Sequence, residues 1–121
     1  MKVTNGEVWQ AREPLQSLLR EPWPVKTAYW LAKLARKINE QVAVMEPVRV
    51  GLIRQYGTTD EKGQVSIKPG DPRWDEFVPA FDELMAQQED LGIDKIILPA
   101  SDEIRVTPAA LLALEPFVEV A

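Results

Sequence analysis

The stretch Pro24-Val25-Lys26-Thr27-Ala28-Tyr29-Trp30-Leu31, continued to Tyr56, decides how this chain folds. Along it Ala28, Leu31, Ala35, Ile38, Val42, Met45, Arg49, Leu52 and Tyr56 recur at alternating steps of three and four. That spacing is a heptad seam, apolar at every position but Arg49, and it predicts a helix that lays one face along a partner. At 1.5 Å per residue the rod would run ~50 Å. A small globule has no core that long, so its cover must come from other helices of the chain, a second copy or a foreign partner. Val25, Tyr29, Trp30 and Ala32 widen the seam of the first half into a broad apolar face. The preceding helix is the expected cover for it. Pro47, helped by Gly51, predicts a kink or a split two-thirds of the way along. Tyr56-Gly57 reads as a stop with a left-handed glycine.

Upstream, Thr4 and Glu7 have the spacing of a capping box, with Asn5 as the alternative cap. Val8, Ala11, Leu15 and Leu18 then follow at helical spacing, and Pro14 should bend that first helix. Glu21-Pro22-Trp23-Pro24 is a stiff connector, with Pro24 suited to the first position of the long helix.

Downstream, a polar turn at residues 58–63 leads to Gln64–Lys68, a short strand or extended arm. Asp71 and Pro72 read as the cap and first residue of a third helix that reaches Leu91. Its seam is Trp74, Phe77, Phe81, Leu84, Gln88 and Leu91, so it should fold back on the long helix as an antiparallel hairpin. Pro79 lies on its outer side. Ile93–Leu98 and Glu103–Val106 read as two strands of a hairpin turning at Pro99–Asp102. Thr107-Pro108 starts a last helix to Leu114, followed by an apolar tail at Phe117, Val118 and Val120. The expected fold class is α+β. It comprises a long antiparallel helical hairpin, a leading N-terminal helix, a small β-hairpin and a short C-terminal helix, in a single domain over residues 1–121.

Composition narrows the chemistry. Of 121 residues 45% are hydrophobic and 27% charged, as in an ordinary globular domain. No apolar run approaches the ~18 residues of a membrane span, and the start of the chain shows no signal peptide. The expected location is the cytoplasm. The absence of cysteine and histidine removes disulfides, thiolate chemistry, the commonest metal ligand and the commonest general base. No catalytic residue, metal site or cofactor is read from the rest. The net charge of −5 argues against nucleic acid as the main partner. Residues 1–60 hold nine Lys and Arg against six Asp and Glu, whereas residues 61–121 hold five against thirteen. Such a polar molecule can meet a second copy head to tail, or meet basic surfaces with its second half.

Two patterns are candidates for partner binding. Asp75-Glu76, Asp82-Glu83 and Glu89-Asp90 repeat every seven residues at positions that point away from the third helix's seam, forming an acidic stripe. A solvated face is the plain reading. The functional one is a docking strip for a basic partner, including a host enzyme that binds nucleic acid. On the long helix Lys26, Lys33, Arg36 and Lys37 form a basic patch beside Tyr29 and Trp30. These residues snorkel over their own neighbours, bind single-stranded nucleic acid by stacking and phosphate contacts, or form a second partner-binding surface, as for the acidic stripe of another copy. Trp9 and Trp23 should pack on Trp30, and Trp74 should be core. Arg49 either marks where the seam leaves its partner or pairs with Glu83 or Glu89.

Several phrases occur in a familiar order. Pro24-Val25-Lys26, Ala28-Tyr29, Lys33-Leu34 and Ile38-Asn39 precede Arg54-Gln55-Tyr56-Gly57 and Asp60-Glu61-Lys62-Gly63. Phe77 to Leu84 and Thr107-Pro108-Ala109 to Leu114-Glu115-Pro116 follow. This order resembles a family of small, uncharacterised proteins encoded by tailed bacteriophages and prophages. The resemblance implies a phage origin and a bacterial host, and it brings no catalytic residue or cofactor. Pro14, Pro47 and Pro79 inside helices depart from it. The expected function is a non-catalytic binding protein, an inhibitor or modulator that occupies a surface of a host protein with the long hairpin and the acidic stripe of the third helix. The alternative is a virion or tail assembly protein acting as a homo-oligomer.

Overall fold

The computed structural model describes residues 1–121. A short strand β1 (Lys2–Thr4) runs straight into helix α1 (Asn5–Leu19). Thr4 is extended and its Oγ1 accepts from the Glu7 amide at 3.1 Å, while Glu7 Oε1 accepts from the Thr4 amide at 2.9 Å. The capping box therefore closes as its spacing predicts, and two otherwise unpaired amides gain partners. Val8, Ala11, Leu15 and Leu18 are buried, and Pro14 is accommodated within the helix.

Helix α2 (Val25–Tyr56) is one continuous helix of 32 residues, with Pro24 as its N-cap rather than its first residue. Pro47 lies inside it without splitting it. A proline removes one backbone donor. Pro47 is exposed, so the carbonyl it leaves free lies on a solvent-facing stretch. Gly57 ends the helix, but at φ −80° it is extended, not left-handed. Glycine is required there for room. A Cβ would overlap the Ile53 carbonyl oxygen and lie 2.5 Å from that of Ser66, where the chain folds back. Strands β2 (Thr58–Thr59) and β3 (Val65–Ser66) form that return as a small antiparallel hairpin.

Helix α3 (Trp74–Ala86) is shorter at both ends than its sequence pattern implies. Asp71 caps no helix. Its Oδ2 accepts from the Lys68 amide, and its carbonyl accepts from the Trp74 amide in a turn that precedes the helix. Beyond Ala86 the chain becomes strand β4 (Gln88–Asp90), antiparallel to β1 with Val3 opposite Glu89. Trp74, Phe77 and Phe81 form a ladder of rings 5.5–5.6 Å apart facing α2; Phe77 is buried and Trp74 half-buried. Arg73 ties the two ends together, donating from Nη1 to the Gln55 carbonyl at 2.9 Å and lying 4.7 Å from the Tyr56 ring centroid.

The remaining strands differ from the hairpin expected at 93–106. β5 (Ile96–Leu98) pairs in parallel with β6 (Val118–Val120), and helix α4 (Pro108–Leu114) makes the crossover. A parallel pair needs a connection of about a dozen residues or more, which the 99–117 segment supplies. Burial selects this partner. Phe117 and Val118 carry β6 into the core, whereas the 103–106 segment contributes only the partly buried Val106 to it. Thr107 Oγ1 caps α4 by accepting from the Ala110 amide at 3.2 Å.

The architecture is α+β, as expected, but α1 is its hub. It packs against α2, α3 and α4, and its four apolar residues lie in the main core with Leu31, Leu34, Ile38, Met45, Leu114 and Phe117. On α2 the buried residues are Thr27, Leu31, Leu34, Ile38 and Met45. This stripe includes Leu34, which the heptad seam omits, and leaves Ala28 exposed. A straight helix drifts against a seven-residue repeat, so the contact line follows 3.6 residues per turn.

Asn5 joins the three long helices. It is 5% exposed. Its Nδ2 donates to the Leu84 carbonyl of α3, its Oδ1 accepts from Gln41 Nε2 of α2, and its amide donates to the Gln87 carbonyl, each at 2.9 Å. Asn5→Ala should lower unfolding free energy by roughly 1–3 kcal/mol, because Gln41 and the Leu84 carbonyl lose partners in a dry site. Thr4→Ala, which removes only a cap, should cost about 1 kcal/mol. Urea titration of both variants measures the order; Thr4→Ala being the costlier would refute the role given to Asn5.

Candidate interaction surfaces

The acidic stripe is cut by the end of α3. Asp75, Glu76, Asp82 and Glu83 are exposed on the helix, and Glu76 is paired with Arg73 at 2.6 Å. Glu89 and Asp90 lie on β4 instead, so the seven-residue repeat does not extend to them. The helix stops because Gln87 turns to an extended conformation, and β4 then pairs with β1. Asp90 has a structural task. Its Oδ1 accepts from the Gly92 amide at 2.9 Å and lies 3.6 Å from the Met1 amino group. Gly92 has φ +72°, a conformation that favours glycine and aims its amide back at the carboxylate. That hydrogen bond, then the Met1 charge, holds the Asp90 carboxyl below the ordinary carboxylate range.

Arg49 pairs with neither Glu83 nor Glu89. It reaches Glu46 one turn back at 2.5 Å, and this hydrogen bond lowers the Glu46 carboxyl and raises the guanidinium. It also lies 5.3 Å from the centroid of Trp9, whose ring Arg12 approaches at 3.4 Å. Trp9 is thus occupied by cations rather than by Trp30. Trp23 donates from Nε1 to the Leu18 carbonyl at 2.8 Å, sealing the end of α1.

One side of the first third of α2 is uncovered. Val25 is 87% exposed, Tyr29 55% and Trp30 36%. α1 lies against the Leu31–Leu34 side, so the aromatic side it was expected to cover faces outward. Tyr29 and Trp30 meet edge to face at 5.6 Å, and Lys33 Nζ lies 5.2 and 5.0 Å from their centroids. The structure brings these three together. Arg36 continues the face at a shallow groove where Leu19 meets Ala32 and Ala35, and Lys37 is exposed beside it.

Trp30 also borders a cleft of about 760 Å³ between the start of α2 and the segment leading into β5. Pro24, Lys26 and Thr27 form one wall; Ile93, Asp94, Lys95 and Ile97 are on the other. The sequence pattern assigns residues 93–97 to a hairpin and so misses this wall. One signal of the cleft is legible beforehand: α2 starts without an acidic residue or a side-chain cap in its first turn.

The molecule is therefore a mixed α+β domain with an exposed aromatic and basic helix face beside a cleft. No cluster of three or more acidic side chains has the arrangement to hold a metal ion, and no helix is long and apolar enough to cross a membrane. Comparison with family models, curated proteins and solved structures finds no match to the chain.

The depressed Asp90 carboxyl has a pH consequence. Its contribution to stability is complete above the ordinary carboxylate pKa and is lost as pH falls through the lower folded value. Asp90→Asn should therefore be less stable than the parent at neutral pH and lose less on acidification. Thermal melts from neutral to acid pH measure the gap; a gap that does not narrow in acid contradicts the assignment.

Proposed function

We propose that this protein is a non-catalytic binding protein that occupies a surface of a partner protein through the first third of α2. The observation that carries this reading is the exposure of Val25, Tyr29 and Trp30 on a helix whose opposite side is fully used in the core. Large aromatic side chains left in water beside cations are the composition of an interface centre, where Trp and Tyr contribute most of the binding free energy. Lys33, Arg36 and Lys37 form a basic margin, which fits a partner with an acidic rim. The four helical carboxylates of α3 offer a second contact of opposite sign, for a basic partner. The resemblance in sequence to phage proteins supports a bacterial host protein, or a virion protein, as the partner class.

A second reading is supported by the same charge division. The basic margin of α2 and the acidic side of α3 are complementary between two copies, and Val44 and Val48 add exposed apolar surface on α2. Such a homo-oligomer would serve assembly of a virion or tail.

Affinity capture from bacterial lysate separates these readings when three chains are compared: the parent, Tyr29→Ala/Trp30→Ala, and Asp75→Lys/Glu76→Lys/Asp82→Lys/Glu83→Lys. The α2 reading expects one partner captured by the parent and the α3 variant, and recovered at least tenfold less by the α2 variant. Equal recovery on all three overturns it. A dimer in sedimentation that the α2 variant dissociates supports the assembly reading.

A further inference from the structure

Strand β5 pairs with β6 along one edge and borders the cleft beside Trp30 with the other. We infer that an extended segment of a partner protein, apolar with an acidic residue, adds to that second edge as a third strand. The inference rests on the reading that α2 docks a partner protein, and it names the part of the partner that lies past Trp30.

Backbone direction locates the open edge. The Ile96 amide donates to the Phe117 carbonyl and the Leu98 carbonyl accepts from the Ala121 amide, both at 3.0 Å, so these two residues face β6. Alternate residues of a strand bond opposite neighbours. The amide and carbonyl of Ile97 therefore point away from β6, to an edge where the sheet has no third strand. Ile96 and Ile97 both line the cleft, although one is buried and the other 60% exposed. Successive side chains leave a strand on opposite faces, so a cleft that touches both runs along the edge. Pro24, Thr27 and Trp30 form the far wall. A strand edge set across a cleft from a helix is suited to strand addition, in which main-chain hydrogen bonds hold a peptide and the walls select its side chains.

Nothing within β5 opposes pairing. The other three-residue strands read Lys-Val-Thr, Gln-Glu-Asp and Val-Glu-Val, each with at least one charged side chain, whereas β5 reads Ile-Ile-Leu. Charge on an edge strand discourages the addition of further chain, and an apolar edge invites it. Lys95 and Pro99 lie just outside β5. Pro99 has no amide hydrogen, so it limits the added strand to a short one.

Charge selects the segment. Lys26 and Lys95 border the cleft against the single carboxylate of Asp94, and Lys33 Nζ lies 5.0 Å from the centroid of Trp30. An acidic side chain is attracted to this rim and a basic one repelled. Ile93, Ile97 and the Trp30 ring provide apolar surface for the residues beside it.

Selection of displayed random linear peptides on the full chain, followed by amide NMR with the enriched peptides, tests the inference. The expected outcome is enrichment of apolar peptides that contain Asp or Glu, with saturable shifts at the Ile97 amide. Methylating the peptide's backbone nitrogens one at a time should weaken binding about tenfold at every second residue, since only those amides face β5. Lys26→Glu/Lys95→Glu should turn the preference toward basic peptides. No enrichment, enrichment that ignores charge, saturable shifts that leave Ile97 unmoved, or methylation effects without a period of two each overturn the inference. An Ile97 shift that follows protein concentration without peptide assigns the edge to a second copy and overturns it as well. Tyr29 lies outside the cleft, so Tyr29→Ala should leave peptide binding at Ile97 intact while capture of the partner falls. Peptide binding at Ile97 with no partner captured from lysate removes the docking-face reading alone; capture with no peptide binding removes the added strand alone.

Discussion

The side chain of Asn5 is the point through which α1, α2 and α3 are held in one register. Thr4 wins the competition to cap α1 because its hydroxyl and Glu7 satisfy each other's backbone partners. That leaves the Asn5 amide group free to turn inward, where it bonds Gln41 on one helix and the Leu84 carbonyl on another. The Leu84 carbonyl, in the last turn of α3, accepts from the Gln87 amide at 3.3 Å and also from Asn5 Nδ2, so α1 reinforces that helix end. The Asn5 amide meets Gln87 at the residue where α3 gives way to β4. Capping, helix termination and helix–helix contact are coupled at a single residue.

That coupling explains why α3 is shorter than its heptads. Gln88 and Leu91 continue the seven-residue spacing, and from spacing alone there is no reason to stop at Ala86. What stops the helix is distant in sequence. β1 presents an open edge, Leu91 donates to the Met1 carbonyl at 3.0 Å, and Leu91 is buried against the core from a strand-like segment. The apolar position is legible in the spacing and its backbone conformation is not. The same distinction applies to Ile96 and Leu98, legible as strand residues although their partner, β6, lies beyond an intervening helix. Local patterns specify which side chains need burial; pairing depends on which chain segment reaches them.

Much of the architecture is nonetheless local. The Thr4–Glu7 box, the buried face of α1, the start of α4 at Thr107 and the antiparallel return of α3 all follow from spacing and cap chemistry. The long helix is legible in extent but not in facing. Its heptads place Ala28 and Ala35 on the seam and pass over Leu34, whereas the 3.6-residue period selects Thr27, Leu31, Leu34 and Ile38. This modest rotation decides which side chains of α2 stay outside the core. It turns Tyr29 and Trp30 outward and brings Thr27 to the edge of the cleft.

The acidic and the aromatic helix faces differ in what a partner would gain by covering them. Carboxylates in water are already well solvated, and pairing them with a partner exchanges one favourable environment for another at a surface, a gain of roughly 0–1 kcal/mol per pair. Glu76 has a cation already, and Asp90 is committed to Gly92 and Met1. Exposed Val25, Tyr29 and Trp30 stand differently, because their apolar surface gains about 25 cal/mol per Å² when water is removed. Lys33 is already over both rings and would be enclosed with them, where a cation–π contact strengthens on desolvation. In the proposed interface, charge would set which partners approach, and the uncovered turn of α2 which one stays.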